Sequence, residues 1–188
     1  MNWKTLAAMK KRAEHAETVT GVFQASMRRG GCVMPDVAGM PDIRIAPADM
    51  GAALHGDTVE VGVERARPGR LVRGRIVRVV RHANKLIVGR LARGGRVSIV
   101  IPKNRKIQRV VEIHRKVTPE EAPEGAWVVA EVRQWSRSPD EPLVGRLAEV
   151  LGTDDDKGLP ILLLIREGGI APEFPDAVES EARGLQAK

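Results

Sequence analysis

The sequence predicts a mainly β protein: two tandem, closed, five-stranded barrels, preceded by a short N-terminal helix and followed by a partly helical C-terminal tail. Three observations carry this expectation. They are an internal repeat of about 70 residues, a hydrophobic period of two within each copy, and glycines at matching places where a short strand must bend. Gly21-Val22-Phe23 returns as Gly89-Arg90-Leu91, and Cys32-Val33-Met34-Pro35 returns as Ile99-Val100-Ile101-Pro102. Further on, Gly56-Asp57-Thr58-Val59-Glu60-Val61 returns as Gly125-Ala126-Trp127-Val128-Val129-Ala130, and Gly74-Arg75-Ile76 as Gly145-Arg146-Leu147. The offsets run from 67 to 71 residues, as a duplicated unit with small insertions requires.

The elements follow in order. Residues 1–17 form the N-terminal segment, where Leu6, Met9 and Ala13 have helical spacing. The first barrel, 18–82, has strands expected near 19–25, 31–35, 42–46, 57–65 and 71–81. His82-Ala83-Asn84-Lys85 is too short for a flexible linker, so the second barrel should sit rigidly against the first. That second barrel, 83–152, has strands expected near 86–92, 96–101, 111–115, 126–134 and 143–150. Five short antiparallel strands in so few residues suit an oligonucleotide-binding (OB) barrel, whereas a sandwich would usually use more. Residues 153–188 begin in a Gly-flanked acidic loop, pass through an apolar segment to Ile165, and end in a helix expected from Pro175. Ile161 to Ile165 and Phe174 are more apolar than a solvated tail needs, so this segment should be covered by something.

With 43% hydrophobic residues the chain can bury real cores. Its longest apolar run, Leu159 to Ile165, is far short of the roughly 20 residues of a membrane helix, and no membrane partner is expected. The N-terminus lacks the apolar core of a signal peptide, so a cytoplasmic location is expected. Cys32 is alone, which excludes an internal disulfide and a multi-cysteine zinc site and leaves it a packing role.

Charge is distributed unevenly. Residues 1–64 carry 7 basic and 8 acidic side chains, residues 65–116 carry 17 and 1, and residues 117–188 carry 7 and 15. One sign of charge sustained over fifty residues exceeds what solubility demands, and phosphates are the natural counterions. The excess is mostly arginine, which suits bidentate phosphate contact. Aromatics that could stack on bases are scarce: no Tyr, two Phe and three Trp. Burial is expected for Trp127, while Trp135, at a strand end beside Arg133 and Arg137, is the candidate for stacking.

Catalytic signals are missing. Asp154-Asp155-Asp156 reads as a solvated turn and not a metal site. Gly89 and Gly94 have phosphate-loop spacing, but Gly95-Arg96 stands where Lys-Ser/Thr is required. The four histidines are scattered and none is recognisably paired with a nucleophile.

Three separated runs nevertheless resemble one family. PDIRIAPADMGAALHGDTVEVGVER (41–65), GRIVRVVRHANKLIVGRL (74–91) and GRLAEVLGTDDDKGLPILLLIREGGIAPEFPDAVESEA (145–182) are similar to the N-terminal half of bacterial ribonuclease R and the related ribonuclease II. The resemblance covers residues 18–182. It implies that the barrels are that family's cold-shock-like OB domains and that residues 153–182 lead toward its catalytic domain, a 3′–5′ exoribonuclease using Mg2+ held by an aspartate cluster. Asp154 to Asp156 match the linker and not that cluster, so no catalytic residue, metal site or cofactor is expected in this chain. Where members carry an aromatic-rich stretch before the second-strand Pro, this sequence has Arg29-Gly30-Gly31-Cys32 and Arg96-Val97-Ser98-Ile99. Contacts to single-stranded RNA are therefore expected mainly through phosphates. The candidates are Phe23, Arg28, Arg29, Arg73, Arg75, Arg78, Arg90, Arg93, Arg96, Lys103, Arg105 and Trp135. A catalytic domain, in the same or an adjacent gene product, is the expected protein partner. The alternatives are a stand-alone tandem-barrel RNA-binding protein and a protein-interaction adaptor.

Overall fold

The computed structural model of the chain describes residues 18–27, 30–64, 71–94, 97–136 and 138–168. The expected helices at 3–16 and from Pro175 lie outside the described residues, as do Arg28, Arg29, Arg96 and Phe174.

Strands β1 (Thr18–Ala25), β2 (Gly31–Pro35), β3 (Ile43–Ile45), β4 (Thr58–Val63) and β5 (Arg73–Arg81) close into one barrel in the order β1-β2-β3-β5-β4. Strands β6 (Leu86–Arg93), β7 (Ser98–Pro102), β8 (Val111–Ile113), β9 (Trp127–Gln134) and β10 (Leu143–Gly152) close into a second with the same order. The parallel pairs β3–β5 and β8–β10 complete each ring, the other neighbours being antiparallel. This is a mainly β fold of two OB barrels, as the repeat predicts.

Alternation drives each strand into place. Along β1 the positions of Val19, Gly21, Phe23 and Ala25 face inward, and Thr18 and Thr20 face solvent. The first core gathers Phe23, Val33, Ile43, Val59 and Val61, all fully buried. The second gathers Leu91, Val100, Val111, Ala126, Val128 and Leu143. The barrels curve tightly at Gly21 and Gly89. A Cβ on either would stand 2.3 Å from a carbonyl oxygen of the neighbouring strand, that of Met34 or of Ile101. Strands β9 and β10 absorb the rest of the curvature through register shifts at Val144/Gly145, Leu147/Glu149 and Val150/Gly152.

The apolar segment after the acidic loop is helical, α1 (Leu159–Glu167), with Pro160 accommodated in its first turn. Its spacing puts Leu159 and Leu163 on one face, where they are buried against Val88, Val129 and Leu151 of the second barrel. Arg166 holds the far end through a two-pronged ion pair to Glu149, at 2.7 and 2.6 Å. The cover expected for this segment is thus partly the chain's own barrel, while Ile161 and Leu164 remain exposed on the opposite face.

Candidate nucleic-acid interface

The junction between the barrels fixes how their surfaces are presented. Asp57, just before β4 and fully buried, accepts hydrogen bonds from Leu54 N at 2.9 Å and Ala83 N at 2.9 Å, and its Oδ2 lies 3.0 Å from His82 Nδ1. The His82 ring lies flat on Trp135, centroids 3.6 Å apart, at the end of β9. From the second barrel Arg109 reaches back, donating to Ala52 O at 2.7 Å, Gly51 O at 3.0 Å, Ser136 Oγ at 2.8 Å and Pro139 O at 3.2 Å. Burial pulls the Arg109 guanidinium downward from its ordinary pKa, while Asp57, Asp140 and Glu141 oppose the shift. Leu54, from the first barrel, completes the second barrel's apolar core. Arg109→Ala is therefore expected to cost about 2–3 kcal/mol, because acceptors satisfied by a charged donor lose it. Urea unfolding measures that loss, and Arg109→Lys should recover only part, since an ammonium cannot span four acceptors in that arrangement.

These contacts correct several expectations. Trp135 has one face occupied by His82 and packs against the second core, so it belongs to the junction. Phe23 is a core side chain with no exposed area and cannot meet a base, because β1 turns its odd-numbered residues inward. Arg93 donates to Val117 O and to Ala122 O and lies near Glu124, which makes it a brace for the loop before β9. Trp127 is half-buried under the Arg90 guanidinium, 4.5 Å from the ring centroid, and its Nε1 donates to Asp154 Oδ1 at 2.8 Å. Arg90 pairs with the same carboxylate and also donates to Gly125 O. The hydrogen bond from Arg90, then that from Trp127, hold the Asp154 carboxyl below the usual carboxylate range. Lys103 is paired with Glu167 at 2.6 Å. Asp156 caps the acidic loop by accepting from Thr153 N. Among the described residues no group of three or more His, Cys, Asp or Glu side chains is placed to hold a metal ion.

Other candidates stay open to solvent. Arg75 and Arg78 lie on the surface beside Asp49 and Glu60, at 2.8 and 2.7 Å. Ion pairs that exposed are worth only about 0–1 kcal/mol, so a phosphate can compete for either arginine. Arg73 and Arg105 are exposed and form no ion pair among the described residues. The same holds for Arg44, Arg81, Lys85, Lys106 and Lys116, of which Arg44 lies outside the basic stretch that composition singled out. Cys32 is half-exposed on the outer side of β2 and not packed inside; desolvation, then Asp42 beside it, pushes its thiol pKa up.

Fold and surface together define a tandem OB-barrel protein with a basic exterior. The family comparisons agree: residues 21–79 match the ribonuclease B OB domain and residues 99–175 the cold shock domain. By these two domains the chain belongs to the ribonuclease R and ribonuclease II family, corresponding to its N-terminal region. It is 32% identical to ribonuclease R of Acidithiobacillus ferrooxidans, covering 89% of this chain and 38% of that protein. It is 28% identical to the ribonuclease R of Aquifex aeolicus, covering 90% and 23%. The chain thus spans well under half the length of these curated relatives. Among solved structures, Mycoplasma genitalium RNase R, apo and in complex with ribose-methylated single-stranded RNA, matches with TM-score 0.75 at 16% identity, over 88% of this chain and 26% of that one. Yeast Ssd1, a pseudonuclease, matches at TM-score 0.64 and 18% identity, over the same shares. Likeness at that identity speaks for the fold alone.

Proposed function

We propose that this chain is the RNA-gripping region of a ribonuclease R or ribonuclease II type 3′–5′ exoribonuclease. It holds single-stranded RNA mainly by its phosphates and guides it toward a catalytic domain not among these residues. The observation that carries this reading is the set of exposed arginines and lysines left without a carboxylate after internal pairing, on a pair of barrels of this family. Stacking contributes little, because Phe23, Trp127 and Trp135 are each engaged inside the fold. Phosphate contact releases counterions, so binding of a labelled oligouridylate should weaken steeply with salt, the logarithmic slope rising by roughly 0.7 for each phosphate engaged. Binding without salt dependence, or none at low salt, would favour the adaptor reading. The exposed Ile161 and Leu164 of α1 fit a protein neighbour such as the catalytic domain.

The chain by itself is expected to hydrolyse no RNA, with or without Mg2+, since two-metal hydrolysis needs convergent carboxylates. Chelator-sensitive release of nucleotides by the purified chain, unaffected by Asp154→Ala and Asp155→Ala, would overturn that part of the reading.

A further inference from the structure

The duplication supplies an internal control on where the nucleic acid lies, because each outward position of one barrel has a counterpart in the other. Strand register places Gln24 opposite Cys32, Cys32 opposite Arg44, and Arg44 opposite Arg73. Cross-strand partners share a face, so these four form one row across β1, β2, β3 and β5 on the outside of the first barrel. Arg44 and Arg73 on this row are exposed, and Met34, on the next row, is 45% exposed. Asp42, which accepts from Cys32, is the acid at this row. The same register in the second barrel gives Ala92, Ile99, Glu112 and Val144. A glutamate and a valine stand where the first barrel has two arginines.

The neighbouring positions diverge in the same sense. Thr20 is open on the first barrel, but its counterpart Val88 lies under Leu159 and Leu163 of α1. Val22 corresponds to Arg90, whose charge is met by Asp154, and beyond the strand end Lys103 is met by Glu167. The tail thus lays both apolar cover and carboxylates over the second barrel, where a nucleic-acid strand would have to displace them.

We infer that single-stranded RNA is carried by the first barrel on the row Gln24-Cys32-Arg44-Arg73, and that the second barrel's equivalent row has lost this role. The assignment rests on the RNA-binding reading above and sharpens it. Arg44 and Arg73 hold successive phosphates, and Met34 offers an apolar, polarisable surface to a base. Charge alone would have pointed the other way, toward a band that includes Arg90, Arg93 and Lys103.

The lone cysteine makes a native reporter at the centre of the row. Alkylation of Cys32 in the full chain, followed by mass spectrometry at mildly alkaline pH, should slow at least severalfold when a saturating oligouridylate is added. Arg44→Glu and Arg73→Glu should each weaken binding about fivefold to tenfold at 0.1 M salt and make the salt slope shallower by roughly 0.7. Glu112→Ala should leave affinity within twofold. If RNA binds but Cys32 reacts at its free rate and both reversals are silent, the placement fails while RNA binding stands. If the unaltered chain binds no RNA even at low salt, the broader reading fails and takes the placement with it. Circular dichroism checks whether each reversal leaves the fold intact, and Cys32 protection needs no substitution at all.

Discussion

Gly89→Ala is expected to destabilise the second barrel by about 3 kcal/mol or more, near the upper end of what overpacking costs. The added methyl would stand 2.3 Å from Ile101 O, 2.7 Å from Val100 Cγ1 and 2.8 Å from Ile101 C, and a backbone carbonyl inside a sheet cannot swing aside as a surface side chain can. Relief would require β6 and β7 to part, which breaks the ladder that runs from Gly89↔Pro102 to Arg93↔Ser98. The duplication makes this a paired prediction: at Gly21 the methyl would meet Met34 O at the same 2.3 Å, so Gly21→Ala should injure the first barrel comparably. Urea denaturation followed by circular dichroism reads both losses. A change below about 1 kcal/mol at either site would mean that the strands separate far more readily than close packing allows.

Asp57→Ala should be of similar size, about 3–4 kcal/mol, for a different reason. Two backbone donors would lose their acceptor, Leu54 N in a buried place and Ala83 N in a part-buried one, and an orphaned buried donor costs about 1–3 kcal/mol. His82 would lose its partner as well, loosening its stack on Trp135. Asp57→Asn should cost less, because one carbonyl oxygen can still accept from either amide. Tryptophan emission adds a second reading, since Trp135 reports the junction directly: a shifted spectrum in the folded Asp57→Ala protein is expected. An unchanged spectrum with full stability would show that the junction is held by Arg109 and Leu54 without the carboxylate.

Much of the fold was legible because it depends on short-range pattern. The period of two located ten strands nearly residue for residue, and the recurrence of Gly21 as Gly89 and of Gly74 as Gly145 revealed two copies of one barrel. The candidate site was legible only in outline. Composition located cations without saying which of them the fold would use internally: Arg93 and Arg109 satisfy backbone carbonyls, and Arg90 meets Asp154, 64 residues away in sequence. A signal for the junction did exist in the repeat, at a place where a carboxylate replaces a small apolar residue inside the barrel. Asp57 stands where the second copy has Ala126, and its carboxylate accepts from Ala83 N at the start of the second barrel.

By itself, then, the sequence determined the strand set, the duplication and the cationic character of the chain, since periodicity, glycine placement and net charge are local or additive properties. Only the tertiary structure decided which charges remain free, that Phe23 points into a core, that Trp135 lies against His82, and that α1 covers the second barrel's β6. Each of those outcomes depends on which distant residues close packing brings within hydrogen-bond or van der Waals reach, and pairings of that range leave no periodic trace along the chain.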